Sequence, residues 1–191
     1  MTVWYVARGA GLAALVLLTV STALGALMSG RIPASPTARV VMHYVHRAVA
    51  TTALAVLGLH LSMILADSFA HVSLVGALVP FRSAFRAFWV GLGTLAAYSF
   101  VLVASTGFLR RRMASSPSAA RLWRSIHMSA YAGWGMAMLH GLRSGTDTAV
   151  PWVRWLYVAC GAAVAASIAV RVASRGQRAV VRPAQHLAMS R

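Results

Sequence analysis

The chain contains no lysine, and its only carboxylate side chains are Asp67 and Asp147. Charged residues make up 10% of it, against about 25% in an ordinary soluble domain. So few acids argue against a site for hard divalent cations, which are held by carboxylate oxygens. The single cysteine, Cys160, rules out an intramolecular disulfide, a cysteine-ligated iron–sulfur cluster and a zinc finger. It lies in an apolar run, where it is expected to pack as a small hydrophobe.

What the chain has in abundance is apolar surface. It is 59% hydrophobic, with a mean hydropathy of +0.71, and a polytopic membrane protein follows. The net charge of +16 comes entirely from arginine. On a soluble protein that charge would point to nucleic acid. Here the arginines lie between and after apolar runs, so topology and anionic lipid account for them and no nucleic-acid partner is expected.

Length and lack of charge predict an all-α bundle with five spans, at about residues 9–28, 40–66, 88–109, 122–142 and 150–170. Trp4 and Tyr5 open the first span as an interfacial belt, which marks it as an uncleaved helix rather than a signal peptide. Between the second and third spans, the apolar run 72–81 is too short to cross and contains Pro80. It reads as an interfacial or re-entrant segment. The bundle occupies 1–172, and 173–191 reads as an arginine-rich cytoplasmic tail without stable structure. Twelve arginines fall on the side of the first loop, third loop and tail, and four on the opposite side. The expected orientation therefore puts the N-terminus outside and the C-terminus in the cytoplasm of a bacterial-type membrane.

Histidine inside a membrane span is costly and usually functional. Four occur in two pairs, His46 with His60 and His127 with His140. At about 1.5 Å per residue the members of a pair are roughly 21 and 19.5 Å apart along the helix, within a hydrocarbon core of about 30 Å. The second and fourth spans run in the same direction. His46 should therefore lie level with His127, and His60 with His140. Two stacked haems, each ligated by one imidazole from each helix, would make an electron wire across the membrane. Bis-imidazole ligation leaves iron no open position, which favours electron transfer over oxygen binding. No C-x-x-C-H motif occurs, so the haem would be b-type. At about 100° per residue His46 and His60 share a face, but His127 and His140 come out roughly 140° apart. A bend or local tightening near Gly133-Trp134-Gly135 would be needed to align them.

Arginines stand where haem propionates need cations: Arg47 and Arg124 on the cytoplasmic side, Arg8 and Arg143 outside. Snorkelling to lipid headgroups is the competing role for each. His43, three residues before His46, is an alternative ligand. His71 and His186 are expected to be solvated, although His71 with Asp67 could meet a substrate or metal outside. Trp89, Trp123, Trp152 and Trp155 read as belt residues.

These residues resemble the ferric reductase-like transmembrane domain family, the membrane haem core of NADPH oxidases, ferric reductases and the bacterial methionine sulfoxide reductase system. The likeness lies in HYVHR at 43–47 leading to His60, LVPFRSAFRAFWVGLGTLAAY at 78–98 and LWRSIHMSAYAGWGMAMLHGLRSGTD at 122–147, with a WY-x-x-R opening at 4–8. The resemblance implies b-type haem on His46, His60, His127 and His140. Many relatives continue into a flavin and nicotinamide domain. This sequence has no G-x-G-x-x-G fingerprint, so flavin would come only through a partner. A separate flavoprotein or a quinol would supply electrons, and an extracytoplasmic acceptor would take them. One haem remains an alternative to two. The competing functions are a histidine-based metal-handling or transport protein, and a structural scaffold with histidines in helix contacts.

Overall fold

The computed structural model describes residues 2–29, 35–68, 72–113 and 116–189, without the side chains of 111, 113 and 175–189. Its elements are α1 (Thr2–Ser29), α2 (Pro36–Ala66), α3 (Leu74–Leu78), α4 (Ala87–Phe108), α5 (Arg110–Met113), α6 (Pro117–Met128), α7 (Ala130–Ser144) and α8 (Pro151–Met189), with a 3₁₀ turn at Asp147–Ala149. No strand occurs among the described residues. Helices α1, α2, α4 and the Pro151–Ser174 part of α8 are long and apolar enough to cross a membrane. The chain is an all-helical membrane bundle.

The fourth expected span is not one helix. It is two, α6 and α7, meeting at Ser129, whose N–H bonds the Ile126 carbonyl three residues back. The tail expected to lack structure from 173 continues α8 as helical backbone through Met189, across Gly176 and Pro183. The starts of α1, α2 and α6 fall earlier than the apolar runs. Ser35 and Ser116 cap α2 and α6, each hydroxyl accepting the backbone N–H three residues on at 3.2 Å, and proline occupies the first turn of both.

Helix α1 is the most enclosed of the spans. It packs along α2, α7 and α8, while α4 packs on α6 and α7. Leu18, Ala53, Ala96 and Phe100 form one core cluster, and Leu15, Val153 and Tyr157 another. The short segment between α2 and α4 folds back against α4. Thr94, seven residues and about 10 Å into α4, donates its hydroxyl to the Ala77 carbonyl at 2.9 Å, and Tyr98 donates to the Leu78 carbonyl. The returning chain passes through two left-handed non-glycine residues, Phe81 (φ 67°) and Arg86 (φ 43°). A Cβ on Gly91 would lie 2.6 Å from the Phe81 nitrogen, so only glycine lets the segment approach α4. Leu74, Val75, Leu78 and Val79 remain exposed, as suits a lipid-facing surface.

Candidate cofactor site: two histidine pairs

The fold brings the four histidines together in the expected combination. The ring centres of His46 and His127 are 6.4 Å apart. Those of His60 and His140 are also 6.4 Å apart. A metal–imidazole bond is about 2.0–2.1 Å, and a ring nitrogen lies roughly 1.1 Å from its ring centre, so two imidazoles on opposite sides of one metal have centres about 6.3 Å apart. Both pairs have that separation.

The expected misalignment in the fourth span is absorbed at Ser129, not at Gly133-Trp134-Gly135. A 3₁₀ turn advances about 120° and 2.0 Å per residue instead of about 100° and 1.5 Å. One such turn among the 13 steps from His127 to His140 cuts the angular offset to about 80° and restores a rise of about 21 Å, matching the 14 steps from His46 to His60. Ser99 on α4 donates to the Ser129 carbonyl at 3.2 Å and holds the junction.

Three of the four rings are oriented by backbone carbonyls. His60 Nδ1 lies 2.8 Å from the Ala7 oxygen, His140 Nδ1 2.8 Å from the Trp89 oxygen, and His46 Nδ1 3.0 Å from the Ser21 oxygen. A carbonyl only accepts, so each Nδ1 carries the proton and donates it, leaving the Nε2 lone pair bare. This is how proteins orient metal-binding imidazoles. His127 is held more loosely: it interacts with the Val103 carbonyl of α4, but its Nδ1 is too far for a full hydrogen bond, and its ring lies on Trp123, with centres 5.1 Å apart and planes at 21°. Trp123 is fixed in turn by its indole N–H to the Thr106 carbonyl at 3.1 Å and by the Arg110 guanidinium above it. Trp123 is therefore packed on a candidate ligand and is not a simple belt residue.

The helices bearing these rings do not pack on each other. Helix α2 lies along α1 and touches α3 and α4, with no comparable contact to α6 or α7. An open cavity of about 170 Å³ occupies the space, with His60, His140, Arg8, Ser144, Asp147 and Tyr157 in its wall. Ser144 Oγ, one turn beyond His140, is buried without a partner.

The arginines divide. Arg8 lines the cavity, and its Nε donates to Asp147 at 2.6 Å in a two-point ion pair. Arg143 is exposed over Trp89, and Arg47 and Arg124 are exposed near the other histidine pair. His43 is also exposed, and His46, not His43, meets His127. His71 and the His186 side chain lie outside the described residues. No family model, curated protein or solved structure matches the chain.

Proposed function

We propose that the protein is a haem b electron-transfer subunit of a membrane oxidoreductase. Two imidazole pairs, each with ring centres 6.4 Å apart and so able to hold one metal between them, carry this reading. Each level offers two nitrogens, and no group of three His, Cys, Asp or Glu side chains converges among the described residues. A bare ion needs about four ligands, whereas a porphyrin brings four nitrogens of its own. The site therefore fits haem better than a transported divalent metal.

His46 and His127 would hold one haem, and His60 and His140 the other. When bound, haem supplies an iron that alternates between ferric and ferrous states. The chain's own residues fix the ligand tautomers through the Ala7, Trp89 and Ser21 carbonyls. They also surround the His60 level with apolar side chains, and they place Arg8 and the unpartnered Ser144 hydroxyl where propionates would need donors. The arginine count puts the His46–His127 level at the cytoplasmic face, in a cytoplasmic membrane of bacterial type. A separate flavoprotein or membrane quinol would supply electrons there, and an extracytoplasmic acceptor would take them at the His60–His140 level. The arginine-rich cytoplasmic rim suits an acidic donor protein as well as anionic lipid.

A dithionite-reduced minus oxidised spectrum of purified protein, with a pyridine haemochrome assay, tests this. Two haems b per chain are expected. Protein made with adequate haem supply and showing no reducible haem would overturn the proposal.

A further inference from the structure

A glycine on a neighbouring helix faces every one of the four rings. On α1, Gly11 faces His60 and Gly25 faces His46; on α4, Gly93 faces His140 and Gly107 faces His127. Within each helix the two glycines are 14 residues apart, the spacing of His46 and His60. The two non-histidine helices thus present matched openings at both levels.

The openings are graded. A Cβ on Gly93 would stand 2.7 Å from His140 Nδ1, and one on Gly11 3.0 Å from His60 Nδ1. On Gly25 it would stand 3.5 Å from His46 Cε1, and on Gly107 3.9 Å from His127 Cε1. The hydrogen bonds follow the same order: 2.8 Å at both outer rings, 3.0 Å at His46, and a longer approach of His127 to the Val103 carbonyl that falls short of a full hydrogen bond. The tight level has both Nδ1 atoms tied to carbonyls of the helices that carry the glycines. At the loose level His127 combines a long approach to the Val103 carbonyl with the Trp123 stack.

Resting on the haem reading above, we propose that Gly11, Gly25, Gly93 and Gly107 are positioning residues for the four iron-binding imidazoles. Their unequal clearances make the His60–His140 level rigid and the His46–His127 level compliant. Each glycine lets a ring lie against a helix backbone at the depth where its Nδ1 proton reaches the carbonyl. A methyl group at the tight positions pushes the ring off that carbonyl, which changes the ring's angle and the donor strength of Nε2.

Full-length holoprotein should be prepared as wild type and as Gly93→Ala, Gly11→Ala, Gly25→Ala and Gly107→Ala. Gly161→Ala serves as the control, since nothing lies within 4 Å of a Cβ there. Low-temperature EPR reads the low-spin signal of each level, whose position follows the orientation of the imidazole planes. Loss of a signal in His140→Ala assigns it to that level. Gly93→Ala should displace the His60–His140 signal or at least halve it, and Gly11→Ala should displace it less. Gly25→Ala and Gly107→Ala should give smaller shifts confined to the other signal, and Gly161→Ala none. If Gly93→Ala does not accumulate, Gly11→Ala decides, because it meets the edge of a single ring. Both tight-level variants matching wild type would overturn the positioning role. Gly107→Ala disturbing its level as much as Gly93→Ala disturbs the other would overturn the grading. Wild-type protein without haem would instead fail the haem reading, and this proposal with it.

Discussion

In the proposed haem arrangement each pair of imidazoles shares one site, so the effects of removing them should not add. His60→Ala and His140→Ala are each expected to lose the same haem, and the double variant no more than that. His46→Ala and His127→Ala should lose the other. Haem per chain and the reduced spectrum check this; a shared loss between His46→Ala and His60→Ala would refute the pairing. Arg8 and Asp147 give a second prediction. Their ion pair is about three-quarters buried, with 24% and 22% of the side chains exposed. Arg8→Ala should therefore lower stability by about 1–2 kcal/mol, read from thermal unfolding in detergent. Adding Asp147→Asn should recover part of that, because the uncompensated carboxylate is then gone. The histidine pairing was legible in the sequence because burying imidazole in an apolar span is costly enough to leave four conspicuous positions. The glycines opposite them were not, since glycine is common in membrane helices and only packing shows which one faces a ring. Trp123 carried an aromatic-belt signal that hid its stack on His127.

Among the elements, the apolar runs located the spans, but polar first turns concealed two starts. Pro36 and Pro117 follow capping serines, a start signal independent of hydropathy. The Ser129 junction had no sequence mark beyond a serine, because the tightened turn answers a tertiary need, the alignment of His140 with His60. The segment between α2 and α4 was legible as too short to span, and its side of attachment was set by Gly91 and Thr94 on α4. Gly91→Ala should force Phe81 and the returning chain away from α4. A cost of about 1–3 kcal/mol is expected, the usual range for overpacking, with faster proteolysis between α3 and α4 as the local readout. Protease resistance equal to wild type would contradict this close approach.

For the whole molecule, the alternation of helices gathers the start of α1, the end of α2, the start of α4 and the end of α7 at one face, as the contacts of Arg8 with Asp147 and of Arg86 with Arg143 require. The proposed orientation rests on arginine asymmetry alone and is directly measurable. In a Cys160→Ser background, a cysteine introduced by Ser118→Cys should react with a membrane-impermeant thiol reagent only after the membrane is opened. One introduced by Thr148→Cys should react in intact cells, and the reverse pattern would invert the topology. Helix α2 is the thinly attached member of the bundle: only 6% of its most apolar window is buried, and Ala53 is its one buried residue. Along most of its length α1 alone anchors it, and the cavity separates it from α7. Haem would thus act as a fastener between one peripheral helix and the rest, adding stability in proportion to RT ln(1 + [L]/Kd). Cells starved of haem would then hold a hinged, incompletely closed protein, and the supply of cofactor would decide how much of it survives quality control.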